Sequence, residues 1–368
     1  MSTMTSNPWG LTPEQLVANW ESFVRKAWSL PKVAEVAQRV QVGCTPAQIV
    51  SRDDSIRLLR YETADDRRYA TPLLFVFALV NRPYILDLRP EKSVVGHFLR
   101  RGFDTYNIDW GVPADGDRYL GLKDYVLRYL DHAVDHIRER TGQERVNLLG
   151  YCMGGTMTAM YTALRPEKVK NLILLTAPVD WSVKDNLLSL WADERYFNID
   201  RMIEVYGNAP AQWLQASFLM LKPVQNMMEK YVTFYENMDN EKWLEDFFAM
   251  ETWLNDNIPV AGEVFREFVK YMFQKNQLIR GELEVAGERV DLKKIACPVL
   301  NLIAQNDHLV PPNQSLTFND VVSSADRRLI TFPAGHIGMA VGGKAHRDLW
   351  PTVCDWLAER SQETKAAT

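Results

Sequence analysis

Cys152 stands two residues after Gly150 and two before Gly154 in the stretch Val146-Asn-Leu-Leu-Gly-Tyr-Cys-Met-Gly-Gly-Thr-Met-Thr158. The apolar run Val146, Leu148, Leu149 reads as a buried strand, and the residues from Thr156 to Leu164 read as a helix. Strand, sharp turn and helix, with glycines flanking a reactive side chain, form a nucleophile elbow. The helix N-terminus behind the turn directs N–H dipoles at the sulfur and favours the thiolate. Two plainer readings compete. A cysteine in an apolar stretch is often an inert core residue. A dinucleotide-binding loop would need a second glycine at the position Cys152 occupies.

The chain also carries Asp307 and His336, in that order, each just beyond a predicted strand. Nucleophile, acid, histidine is the chain order of the α/β-hydrolase fold. In that arrangement His336 takes the Cys152 proton and Asp307 orients the imidazole and stabilises its cation. The N–H of Met153 supplies one oxyanion donor. A second is expected from the loop near Val80 and Asn81. Asn306 or Asp326 could stand in for Asp307, and His308 for His336. His97, His132, His136 and His346 fall on predicted helices and read as surface or packing residues. Cys297 and Cys354 read as structural, and the sequence around Cys44 assigns it no role. Cysteine as nucleophile suits thioester chemistry. An acyl group passed from a thioester to Cys152 stays activated for attack by an alcohol, whereas an oxygen ester on serine would lose that activation.

These residues need a scaffold that brings strand ends together. Ile56–Tyr61 reads as a first strand and Pro72–Val80 as a central one buried on both faces. Ser93–Arg101 reads as a helix stopped by Gly102, Thr105–Trp110 as a strand, and Leu122–Arg140 as a long helix. Further strands are expected at Val169–Thr176, Cys297–Ala304 and Arg328–Phe332, with a closing helix at His346–Arg360. The alternation predicts a mostly parallel central sheet with helices on both faces. It fails between residues 181 and 289, which turn helical and aromatic (Trp191, Trp213, Trp243, Trp253) and read as a cap that can exclude water and open to substrate. The expected domains are an N-terminal helical segment at 1–45, a catalytic core at 46–180 and 290–368, and the cap at 181–289. In the first segment Thr12-Pro-Glu-Gln15 is a helix start. The stripe Leu16, Trp20, Phe23, Val24, Ala27, Trp28 that follows suits either packing on the body or contact with a partner or an apolar surface.

Composition narrows the field. With 368 residues, 46% apolar residues and a net charge of −5, the chain can bury a large core and has no basic cluster for nucleic acid. Its four cysteines are scattered, which suggests neither a zinc site nor a disulfide framework. No secretory leader is read at the start, and no run approaches the ~18 apolar residues of a transmembrane segment. A reducing cytoplasm is expected.

The sequence resembles the polyhydroxyalkanoate synthases. The resemblance rests on Gly150-Tyr-Cys-Met-Gly-Gly155, a lipase-like box with cysteine as nucleophile. It extends through Phe77-Ala-Leu-Val-Asn-Arg-Pro-Tyr84, Asn107-Ile-Asp-Trp-Gly111, Asn306-Asp-His-Leu-Val-Pro311 and Ala334-Gly-His-Ile-Gly338. It implies polymerisation of (R)-3-hydroxyacyl-CoA, typically 3-hydroxybutyryl-CoA, with release of CoA. Cys152 would hold the growing chain, His336 would activate it, and Asp307 would help activate the 3-hydroxyl. No cofactor is implied, CoA being part of the substrate and a product. The short length resembles the class III and class IV catalytic subunits, which act with a second, smaller subunit. The family also implies a homodimer and association with cytoplasmic polyester granules. The alternative from the residues alone is a cysteine-dependent thioesterase or esterase of the same fold.

Overall fold

The structure, a computed structural model, describes residues 12–62, 67–184 and 186–364. Residues 1–11 of the expected N-terminal segment, and the side chain of Leu16, lie outside that description. The chain divides into two compact units: one takes the residues up to Gln41 with Lys222–Thr252, the other Val42–Leu221 and Trp253–Thr368. The 181–289 insertion is thus shared between them.

The larger unit is built on one eight-stranded sheet. Its strands are β1 (Ala47–Asp53), β2 (Ile56–Tyr61), β3 (Tyr69–Val76), β4 (Phe103–Asp109), β5 (Val146–Tyr151), β6 (Val169–Leu175), β7 (Val299–Ala304) and β8 (Arg327–Phe332). Their order is β1-β2-β4-β3-β5-β6-β7-β8. β1 and β2 run antiparallel to their neighbours, and from β4 to β8 every pairing is parallel. Central residues such as Leu74, Phe75, Leu148, Leu149, Ile173 and Leu302 are buried, as two helix-covered faces require. This is the α/β-hydrolase arrangement expected from the alternation.

Several boundaries differ from expectation, three of them most clearly. β1 precedes the anticipated first strand. β3 ends at Val76, so that Phe77–Val80 are loop rather than strand, buried through Leu79 and half-buried at Val80. The long helix after Leu122 opens with π-type turns over Lys123–Tyr129 before continuing as an α-helix over Leu130–Thr141. Ser93 caps Val94–Arg101, and Gly102, at φ +90°, ends it as the sequence suggests. Within the insertion, extended structure among the described residues is confined to an isolated bridge and the two-residue ribbon Glu284–Val285/Glu288–Arg289.

The smaller unit is helical. Helix α1 (Pro13–Arg39) starts on the anticipated capping box, with Thr12 Oγ1 accepting from Gln15 N and Gln15 Oε1 from Thr12 N. Val33 and Val36 of α1 pack with Met238 and Leu244, flanked by Phe234, Trp243 and Phe248. Lys32 pairs with Glu241 at 2.7 Å and Arg39 with Glu245 at 3.1 Å. Of the stripe expected on α1, Trp20 is 67% exposed, Phe23 51% and Trp28 81%.

Candidate active site

β5 delivers Tyr151 to the sheet edge, and the helix α2 (Met153–Leu164) leaves from it. Between them Cys152 has φ 56° and ψ −127°, a backbone region that side chains other than glycine rarely occupy. Three close approaches explain the neighbouring glycines. A Cβ on Gly150 would lie 2.2 Å from Thr158 Oγ1, one on Gly154 2.2 Å from Val76 O, and one on Gly155 2.4 Å from Ala177 Cβ. The Gly154 approach packs the elbow directly onto the loop that follows β3. Cys152 N donates to Leu175 O at 2.9 Å, and Cys152 O accepts from Gly155 N at 2.9 Å. Met153, as the first helical residue, has no intrahelical acceptor for its N–H.

Asp307 and His336 follow β7 and β8, and Asn306 N donates to Ala334 O at 2.9 Å, tying the two loops together. His336 Nδ1 lies 2.6 Å from Asp307 Oδ2. The other carboxylate oxygen accepts from Leu309 N at 2.9 Å and Val310 N at 2.8 Å. Asp307 is therefore buried, oriented and supplied with donors. Tyr151 adds a support that the sequence did not suggest. Its hydroxyl donates to His336 O at 3.0 Å, and its ring stacks on the imidazole at 5.2 Å.

The electrostatics of His336 follow from this setting. Burial alone would lower its pKa. The Asp307 charge, the Cys152 charge and hydrogen bonds to both outweigh burial and push it up to about 10. With Asp307 and Cys152 on either side, the imidazole holds its proton at neutral pH. Such a site can exchange a proton with a sulfur nucleophile at Cys152, which is what acyl transfer through cysteine requires.

Of the alternatives left open by the sequence, Asp326 pairs with Arg360 at 2.7 Å. His97 and His346 face each other, Nε2 to Nδ1 at 3.1 Å, and burial pushes both down to about 4. Burial pushes Cys297 and Cys354 up to about 12. Val80 is half-buried in the loop after β3. Beside it Asn81 has φ +65° and a buried side-chain oxygen without a hydrogen-bond partner, and Thr176, next to the Leu175 acceptor of Cys152, has φ +44°. Among the described residues no three His, Cys, Asp or Glu side chains gather as a metal-binding group.

Comparison with known proteins gives this geometry its context. Residues 83–342 match the α/β hydrolase fold family, and residues 29–98 match the poly-beta-hydroxybutyrate polymerase (PhaC) N-terminus. A poly(3-hydroxyalkanoate) polymerase subunit PhaC from Allochromatium vinosum is 40% identical over 96% of this chain and 99% of its own length. The chain belongs to the poly(3-hydroxyalkanoate) polymerase family. PhaC subunits of the same name from Haloferax mediterranei (46% identical, covering 89% of this chain and 67% of that protein) and Synechocystis sp. (43%, 87% and 86%) agree. It is accordingly an enzyme, a polymerase of the acyltransferase type. Solved structures share the fold: a putative lipase from Sulfolobus solfataricus (TM-score 0.54, 16% identity) covers 86% of this chain and 99% of its own. A monoacylglycerol lipase from Paleococcus ferrophilus (TM-score 0.51, 16% identity) covers 80% and 98%.

Proposed function

We propose that this poly(3-hydroxyalkanoate) polymerase family member converts (R)-3-hydroxyacyl-CoA, most simply 3-hydroxybutyryl-CoA, into polyester through acyl groups carried on Cys152. The observation that carries the reading is a cysteine, not a serine, at the elbow, served by a His336–Asp307 pair. The Cys152 thiolate attacks the thioester carbonyl. The oxyanion is met by the N–H groups of Met153 and, from the facing loop, Val80. As the tetrahedral adduct collapses, the CoA thiolate leaves and takes the proton from the His336 imidazolium. Neutral His336 then accepts the proton of an incoming 3-hydroxyl, which attacks the acyl–cysteine thioester. Cys152 leaves as thiolate beside a renewed imidazolium, and the chain, one unit longer and now on CoA, returns to Cys152 in the next round. Asp307 holds the imidazole in the tautomer and orientation these transfers need, and assists activation of the hydroxyl.

CoA enters as part of the substrate and leaves as product, and no separate cofactor takes part. Residues 181–289 act as the cap, residues 1–45 as an N-terminal segment, and residues 46–180 with 290–368 as the catalytic core. The exposed Trp20, Phe23 and Trp28 of α1 suit a second, smaller subunit of the class III or class IV type, or the surface of a cytoplasmic polyester granule. A homodimer is part of the same proposal. No helix among the described residues is long and apolar enough to cross a membrane. The test is CoA release from (R)-3-hydroxybutyryl-CoA by the wild type and by Cys152→Ala. The variant should release none; turnover retained without the thiol would remove Cys152 from the mechanism.

A further inference from the structure

The loop that faces the elbow is held at both ends by tryptophan indoles. At its start, Trp110 Nε1 donates to Phe77 O at 2.9 Å; at its end, Trp253 Nε1 donates to Arg82 O at 2.8 Å. Both rings are buried. Between the two pins lie Ala78, Leu79, Val80 and Asn81, the last at positive φ. Phe77 also sits where a side chain on Gly154 would be, since a Cβ there would lie 2.6 Å from its carbonyl carbon. The loop is therefore pressed onto the elbow at Phe77, and its other end is fixed at Arg82 by the insertion.

The insertion adds two further contacts. Asp256 Oδ1 lies 3.3 Å from Arg82 Nε, and Tyr84 Oη donates to Asp256 Oδ2 at 3.2 Å. The segment that follows, Ile258–Ala261, lines one small cleft with Leu79 and Trp110. Trp110 comes from the end of β4, which belongs to the sheet, whereas Trp253 and Asp256 come from the insertion. A loop of four residues between two such pins has little freedom to shift its N–H groups. Oxyanion donors act only when they stand within hydrogen-bond distance of the position where the charge develops.

We propose that Trp110 and Trp253 are positioning residues for acyl transfer, which hold the Val80 loop against the Cys152 elbow, with Asp256 fixing the Arg82 side of the loop. This rests on the Cys152–His336–Asp307 reading of the site. Neither tryptophan needs to touch substrate; each acts through the backbone carbonyl it binds.

The test removes each indole donor and keeps an aromatic ring in its place: Trp253→Phe and Trp110→Phe, with Asp256→Asn as a third variant. CoA release from (R)-3-hydroxybutyryl-CoA is followed for kcat and KM, and alkylation of Cys152 by iodoacetamide is followed in parallel. Alkylation needs the thiolate but no oxyanion hole. The expected result is a fall in kcat of about tenfold or more in each Trp→Phe variant, a smaller fall in Asp256→Asn, KM within about twofold, and alkylation at the wild-type rate. Wild-type kcat in both Trp→Phe variants, or alkylation falling in step with kcat, would overturn the proposal. A Cys152→Ala control keeps the two levels apart: turnover in that control would overturn the site reading itself, whereas an inactive control with fully active Trp→Phe variants would overturn the pins alone.

Discussion

His336 Nδ1 and Asp307 Oδ2 stand 2.6 Å apart, at the tips of two loops that leave adjacent parallel strands. Asp307 has little freedom to turn away, because Leu309 N and Val310 N hold its other oxygen. The pair is a fixed charge relationship rather than a surface contact, and the behaviour of the imidazole with pH follows from it.

His336, pushed up to about 10, should remain an imidazolium through pH 8. Its folded pKa lies above the unfolded value of about 6.5. The stability it contributes is therefore fully present below about pH 6.5 and is lost as pH rises through about 10. Asp307→Asn removes the largest upward influence and should lower the midpoint. NMR titration of the histidine ring nitrogens reads this directly, and a wild-type midpoint below 7 would contradict the ion-pair picture.

Cys152 should be worth more to activity than to stability. Its φ of 56° and ψ of −127° cost about 1–3 kcal/mol, a cost that glycine escapes. Cys152→Gly should abolish turnover while raising stability by about 1 kcal/mol, read by urea unfolding. A destabilised Cys152→Gly would mean that the turn is not under strain.

Two glycines in the site motifs should respond in opposite ways to alanine. Gly154→Ala forces a Cβ to 2.2 Å from Val76 O, and should cost about 3 kcal/mol or prevent folding. Gly335→Ala meets nothing closer than Asn306 O at 3.6 Å and should leave the melting temperature within a few degrees of wild type. Equal losses in both would show that the close approach at Gly154 is not what the glycine is for.

In the smaller unit, exposure and burial separate two kinds of apolar residue. Leu244→Ala should cost about 2–5 kcal/mol because the site is fully buried in the α1 core. Trp20→Ser and Trp28→Ser should change stability by no more than about 0.5 kcal/mol, yet should weaken association with a partner subunit or granules in sedimentation. Unchanged sedimentation would leave the exposed stripe without that role.

The candidate site was legible where chemistry and punctuation coincide. Gly150, Cys152 and Gly154 marked a turn between an apolar run and a helix, and Asp307 and His336 each followed a β-rich run that ended in turn residues. The central strands β3, β5, β6 and β7 were legible for the same reason, since strands buried on both faces read as largely apolar runs. β1 was not: Ala47-Gln-Ile-Val-Ser-Arg-Asp53 is an edge strand, mostly exposed, and its residues neither alternate cleanly nor run apolar. The end of β3 was misread because Phe77, Ala78 and Leu79 stay buried after the ladder stops, and burial rather than extended pairing is what apolar character reports. Trp253, Asp256 and the Tyr151 ring act through tertiary contacts with residues far away in sequence, for which no local pattern exists. The division of the insertion was equally invisible, because Lys222–Thr252 and the sheet-associated helices share one aromatic composition.

The most direct measurement gives the purified chain (R)-3-hydroxybutyryl-CoA and follows both CoA and the fate of the acyl group. CoA should be released in step with an insoluble polyester, and acyl groups should be recoverable as thioesters on Cys152. CoA release accompanied only by soluble 3-hydroxybutyrate would contradict this, and would make the Cys152 site a hydrolase.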